Sequence, residues 1–347
     1  MTMHTTTCPA ALCGLTAALL STTALAEATT YPLTIENCGE QVTFAKAPER
    51  AVALGHNSAE ILFLLGLEDK MAGTAFWPNR VLPELEAAYA KVEVVAVEFP
   101  TLEAILSKQP DFVPAMLVTL LGPDSKVAKR EDFEKLGIPT YLSPSACTTV
   151  ADTENTTGSK ATSVYGLREN LWNMDLLYQE IGDLARIYDV QDRGQTLIAD
   201  LKAREATLRE EFARRDDLTF LFWFSSPSPS DDAYLAGGNG PSGYIADLLG
   251  GSNALKTEAE WPALGWEGIM ASNPTVIVAA QVDRKRWGLD ESQTKIEFLT
   301  TDPAVSQMEA VKAGRIAVMS GSSMNPSVHT LFGAEQLAEQ LRAFDLQ

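Results

Sequence analysis

Residues 284–287 read Arg284-Lys285-Arg286-Trp287, three cations and an indole in a row. They follow an apolar, strand-like run at 275–280, where a strand gives way to a loop. The surrounding chain is acidic, with 46 Asp and Glu against 27 Lys and Arg and a formal net charge of -19. A basic loop in such a chain is either simply solvated or turned toward an anion. Guanidinium pairing combined with ring stacking suits an anion with a flat face. Other chemistry is sparse. Past residue 30 the histidines are His56 and His329, and there is no G-x-S-x-G elbow, H-E-x-x-H or P-loop. A bare Zn or Mn ion would need several His and carboxylate ligands converging, so no metal ligands are assigned. Gly238-Asn239-Gly240-Pro241-Ser242-Gly243 fits the dinucleotide pattern G-x-G-x-x-G. The preceding 231–236 is a poor buried strand, however, and a turn into a helix explains the glycines. No catalytic residues and no cofactor are expected.

The acidic balance argues against a nucleic-acid partner, which would want a basic face. Residues 1–26 contain no Asp, Glu, Lys or Arg and end in Ala24-Leu25-Ala26, the small-x-small pattern of a cleavable secretory leader. No apolar run after residue 30 is long enough to cross a bilayer. Leader removal takes Cys8 and Cys13 with it and leaves Cys38 and Cys147. An even pair in an exported chain predicts one disulfide.

The elements that position these residues alternate. A hairpin is expected over 31–44, then a strand at 50–54 and a helix at 58–65 with Ser58 as N-cap and an apolar face of Ile61, Leu62, Leu64 and Leu65. Strands follow at 71–75, 111–115 and 139–142, with a polar helix at 124–136. Residues 146–170, rich in Thr, Ser, Asn and Gly, read as a surface loop. Helical periodicity then takes over at 173–188 and 191–215. The strand–helix pattern restarts with strands at 218–224, 275–280 and 315–320, a helix at 241–249 and a closing helix at 326–341. The fold class is α/β: two lobes, 27–172 and 217–347, each with a mostly parallel sheet, connected through a helical span at 173–216.

The second lobe echoes the first. Leu102-Glu103-Ala104-Ile105, ending at Pro110, matches Trp266-Glu267-Gly268-Ile269, ending at Pro274. Glu-to-Pro spacing is the same in both, and a strand follows each proline.

In order and spacing the chain resembles the periplasmic binding proteins for iron-siderophores, haem and cobalamin. The resemblance rests on Ala47-Pro48-Glu49-Arg50-Ala51-Val52-Ala53-Leu54, on Ala59-Glu60-Ile61 and Leu65-Gly66-Leu67, on Pro110-Asp111, on Leu136-Gly137-Ile138-Pro139 and on the Trp266-Glu267 repeat. It implies two lobes joined by a single long backbone helix, moving little on binding, in a monomeric periplasmic protein that serves an ABC permease. It implies docking roles for Glu103 and Glu267, whose first-turn positions would also suit the helix dipole. A small-molecule ligand, expected to be a ferric siderophore, would lie between the lobes at loops leaving strand ends. Cleft residues are then expected at His56, Asn57, Trp77, Met116 and Leu117 in the first lobe. In the second they are Trp223, Tyr234, Asn239, Arg284, Arg286 and Trp287. Haem or a corrinoid is the rival ligand, with Tyr234 or His56 as an axial ligand for haem. An exported metal-dependent enzyme on the same scaffold is the rival from another class.

Overall fold

The computed structural model describes residues 1–2, 27–77, 79–123, 125–147, 171–257 and 259–346. Nearly all of the leader reading (1–26) and of the surface-loop reading (146–170) therefore lies outside the described residues. The hairpin forms where alternation predicts it: β1 (Leu33–Asn37) pairs antiparallel with β2 (Glu40–Phe44), burying Ile35, Val42 and Phe44. Its two-residue turn, Cys38 and Gly39, has φ of 53° and 82°, the doubly positive geometry that matches strand twist in a tight hairpin. Cys38 and Cys147 are placed as a disulfide with Cα atoms 5.1 Å apart.

The first sheet is built from β3 (Ala51–Leu54), α1 (His56–Leu64), β4 (Met71–Ala75), α2 (Glu86–Tyr89), β5 (Val94–Ala96), α3 (Leu102–Leu106), β6 (Val113–Ala115), α4 (Val118–Leu121), α5 (Arg130–Glu134) and β7 (Thr140–Leu142). Its strands run parallel in the order β5-β4-β3-β6-β7. Every residue of β3 and β6 is buried, as expected of strands covered on both faces. The winding reverses between β3 and β6, where such sheets open a crevice at their C-terminal ends. Two helices differ from expectation. The polar helix at 124–136 is reduced to α5. The helix at 58–65 begins two residues earlier, because Gly55 turns the chain at φ 102° and caps it. A side chain at Gly55 would collide with Met116. Ser58 is thus inside the helix and not its cap, and its hydroxyl donates to Glu180.

The connector folds as α6 (Met174–Ile187) and α7 (Gln191–Glu211). The break falls at Tyr188-Asp189-Val190, with Asp189 at φ 56°. The two helices fold back on each other, and Gly194 lies so close to Ala185 that no side chain fits between them. α6 buries Leu177, Ile181 and Leu184. α7 alone is the strut, about 30 Å long at helical rise. Near its start Arg193 donates to the Leu65 carbonyl at 2.8 Å. Farther along, Arg204 grips Glu335 through two bonds of 2.8 and 2.7 Å, and Arg209 reaches Asp247 at 3.4 Å.

The second sheet comprises β8 (Thr219–Ser225), β9 (Ala233–Ala236), α8 (Pro241–Leu248), β10 (Ser252–Asn253), β11 (Ala263–Leu264), α9 (Trp266–Ser272), β12 (Val276–Gln281), α10 (Ser292–Thr301), α11 (Glu309–Lys312), β13 (Ile316–Ser320) and α12 (His329–Ala343). Its order is β11-β9-β8-β12-β13, with β10 also on β8. The β8, β10, β12 and β13 pairings are parallel, while β9 and β11 are antiparallel. Contrary to expectation, 231–236 does contain a strand: Ala233, Leu235 and Ala236 are buried in β9. Because β9 runs antiparallel to β8, the glycines at 238–243 do not complete the parallel strand–helix–strand unit that a dinucleotide fingerprint needs. The internal repeat extends to the backbone. α3 leads into β6 and α9 into β12, each strand lying at the reversal point of its sheet. Gln109 and Asn273, the residues before Pro110 and Pro274, are both left-handed, at φ 51° and 39°.

Candidate functional site

Loops leaving the C-terminal ends of strands in the two lobes meet one another. The chain after β3 touches the chain after β13: Val328 N donates to Asn57 Oδ1 at 3.0 Å, and His329 Nε2 lies 2.8 Å from Glu60 Oε1. The chain after β4 touches the chain after β12. Arg80 N donates to Asp283 Oδ2, and Asp283 N donates to Asn79 Oδ1, both at 3.2 Å. The first pair of contacts is a buried joint and the second is its more exposed rim.

At the joint, Asn57 also donates to Glu180 Oε2 at 3.0 Å, and Ser143 Oγ donates to the same carboxyl. Burial pushes the Glu180 carboxyl up to about 7 against the pull of these hydrogen bonds. His56 lies edge-on to Trp77 and to His329, with ring centroids 6.3 and 5.7 Å away. Its ring nitrogens have no hydrogen-bond partner among the described residues. Burial, helped by His329, pulls this imidazole down to about 3, so it is neutral in ordinary buffers. His56 and Asn57 were expected in an open loop. The Gly55 turn instead makes them the first turn of α1, 3% and 1% exposed, and they hold the lobes together.

The second lobe presents a continuous aromatic ladder. Tyr234 stacks on Trp287 at 4.9 Å, and the Arg284 guanidinium lies 4.8 Å from the Trp287 ring and 5.6 Å from Phe224. Phe224 meets Trp261 edge-on at 5.0 Å. Trp261 also packs against the apolar cluster of the first lobe, so the ladder runs from a half-exposed tyrosine to the interlobe junction. Asp290, fully buried, organises the loop. Its Oδ2 accepts from Arg286 N at 2.6 Å and Trp287 N at 2.9 Å, and its Oδ1 accepts from Ser225 Oγ. Arg284 Nε is 3.5 Å from the same carboxylate. Beneath it, Lys295 donates to the carbonyls of Ala280 and Asp290 at 2.8 Å each. Burial pulls this ammonium down to about 7, opposed by Asp290.

The expected cleft residues thus divide. Tyr234, Arg284 and Trp287 come together on the ladder, while the Arg286 side chain stands exposed beside it. Trp77 packs on Tyr89 and Phe63 and borders the joint through His56. Met116 and Leu117 are buried in the first-lobe core. Asn239 is buried in the loop before α8. Trp223 is a core residue, wholly enclosed by Trp266 and Phe298, with its indole N–H given to Ser226. The reason is the pleat of β8, which turns Trp223 away from the cleft and Phe224 toward it. Sequence reasoning did not single out Trp261, Asn79, Arg80, Asp283 or Asp290. Trp261, beside Pro262 in a loop, carried the one usable signal. Glu103 and Glu267 are exposed in the first turns of α3 and α9.

Residues 52–322 match the family described as periplasmic binding protein. The uncharacterised ABC transporter substrate-binding lipoprotein YvrC of Bacillus subtilis is 23% identical over 90% of this chain and 86% of its own length. The vitamin B12-binding protein of Yersinia pestis is 21% identical over 68% of this chain and 71% of its own. Among solved structures, an ABC-type Fe3+-hydroxamate transport system protein from Saccharomonospora viridis superposes with a TM-score of 0.67 at 22% identity, covering 90% of this chain and 99% of that one.

Proposed function

This chain belongs to the periplasmic binding protein family, and we propose that it is the solute-binding component of an ABC importer that captures a ferric siderophore between its lobes and delivers it to a membrane permease. The observation that supports this reading best is the meeting of strand-end loops from both lobes beside an aromatic ladder. Stacked rings and a guanidinium suit a bulky preformed chelate, which brings its own iron ligands. α7 and the buried joint hold the halves at a fixed separation, suited to a guest that is already assembled. Binding is reversible capture and hand-off, with no covalent step. No helix of the described residues is long and apolar enough to cross a membrane. Together with the leader-like start, the substrate-binding relatives support export to the periplasm.

A corrinoid is the second reading, favoured by the vitamin B12-binding relative. For haem, His56 is sealed in the joint, which leaves Tyr234, its ring stacked on Trp287, as the candidate axial ligand. Tryptophan quenching of the full protein against ferric catecholates, ferric hydroxamates, ferric citrate, haem and cobalamin tests the proposal. Saturable quenching by one ferric chelate class is expected. Quenching by cobalamin alone transfers the reading to corrinoids, and no quenching by any of them sinks it.

A further inference from the structure

The charges around the aromatic ladder narrow the ligand class further, on the premise that this site captures a chelate. The run at 284–287 looks strongly basic in sequence, but its cations are matched in space. Arg284 lies beside the buried Asp290, with Nε 3.5 Å from the carboxylate. Lys285 Nζ is 2.8 Å from Glu291, and Arg80, reaching over from the first lobe, lies 3.8 Å from Asp283. Among the described residues of this rim, Arg286 alone has no carboxylate beside it. Four rim cations thus face three carboxylates, with Lys295 buried beneath the loop, and the charge closest to the rings, that of Arg284, is offset by a carboxylate that solvent does not reach. Buried pairs of this kind are little screened and present almost no net field outward. Beside Arg286 and the exposed ion pairs, the surface is aromatic: Tyr234, Trp287, Phe224 and Trp261 around a guanidinium whose charge is offset by Asp290 at 3.5 Å.

We infer that the site recognises a chelate of low net charge by its flat or apolar surface, and that it selects against polyanionic chelates. Asp290 is the positioning residue behind this selectivity. It holds the loop through two backbone amides and, by the same carboxylate, cancels the one cation embedded in the ladder.

The test uses the full protein, tryptophan quenching and two ferric probes, an uncharged trihydroxamate and a trianionic tris-catecholate. Titrations run from roughly 0.01 to 1 M ionic strength, across which the screening length falls from about 30 to 3 Å. The uncharged chelate is expected to bind more tightly, with an apparent affinity that changes less than about twofold over the series. Asp290→Asn, which releases the charge of Arg284, is expected to raise affinity for the trianionic chelate about tenfold at low salt, a gain that misfolding cannot produce. Tighter binding of the trianionic chelate by the wild type, with a steep loss in salt, overturns the inference and leaves chelate capture standing. Absence of quenching by any ferric chelate or corrinoid overturns both. If Asp290→Asn does not fold, the wild-type salt series decides alone.

Discussion

Glu180 is the side chain in which the joint's chemistry is concentrated. Three neutral donors surround it, from Asn57, Ser58 and Ser143, and Asp183 adds negative charge nearby. Burial outweighs the three donors, which favour the carboxylate, so the folded state keeps its proton up to about 7, whereas the unfolded chain releases it near 4.5. The folded state binds more protons between those values, so the contribution of this group to stability is greatest below 4.5 and declines as pH rises to 7. Neutral buried His56 and the depressed Lys295 ammonium act in the opposite sense in both proteins, so the readout is a difference: urea midpoints measured from pH 5 to 8 are expected to fall for the wild type relative to Glu180→Gln. The variant should be the more stable of the two at pH 8, by at most about 3 kcal/mol. A wild-type midpoint that does not fall relative to that of Glu180→Gln over the window would show that the carboxylate is ionised in the fold. A second contrast separates the core from the site. Trp223→Ala should cost about 3–5 kcal/mol of stability. Trp287→Ala should abolish ligand-dependent quenching while leaving the melting temperature nearly unchanged. The sequence could not separate these two indoles with equal ease. Trp287 lies in loop sequence and was legible, but β8 is apolar on both faces, and no alternation marks which of Trp223 and Phe224 points to the cleft. His56 and Asn57 were misplaced because helical periodicity carries no sign of the positive φ at Gly55.

At the scale of elements, the central strands and the longest helices were legible, since hydrophobic period and turn residues report them directly. The short β5, β10, β11, α2, α4 and α11 were not, nor was α10. Two further features escaped as well. One is β9, too short and too polar at its start to stand out. The other is the fold-back of α6 on α7, which depends on a contact distant in sequence. That contact makes Gly194 sensitive: Gly194→Val should drive the helices apart at Ala185 and cost about 1–3 kcal/mol, read from chemical denaturation. The opening hairpin is anchored at its turn end by more than its cysteines. Asn37 exchanges two 2.8 Å hydrogen bonds with Leu142 of β7, and Arg130 donates to the Asn37 carbonyl at 2.9 Å and pairs with Glu40. Breaking the Cys38–Cys147 link, which spans 109 residues, should therefore lower stability by up to about 5 kcal/mol and still leave the hairpin docked. A thiol assay on the unreduced protein that finds both cysteines reactive would remove the link altogether.

For the whole molecule, the deciding property is that the two halves do not share a loose hinge. A single apolar cluster runs from Leu177 on α6 through Leu201 on α7 to Phe220 on β8 and Leu331 on α12, and the Glu60–His329 and Asn57–Val328 contacts close the joint beneath the cleft. On the proposed function, ligand capture at the rim would leave the outer faces of the lobes at nearly constant separation. Glu103 and Glu267 occupy equivalent places on those lobes: each is exposed, in the first turn of a helix that feeds the strand at its sheet's reversal point. Dipole electrostatics accounts for a glutamate at either position alone. We propose that the pair, repeated with the same backbone on both lobes, gives a permease two points to engage; exposed rim charges of this kind set register and encounter rate more than affinity. Reversing both, with Glu103→Lys and Glu267→Lys, is expected to stop transport of the chelate into cells. Each single reversal should slow it, while tryptophan quenching by the chelate remains at wild-type strength. Undiminished uptake by the double variant would mean that the importer reads some other surface, and the two glutamates would then be helix-start charges and nothing more.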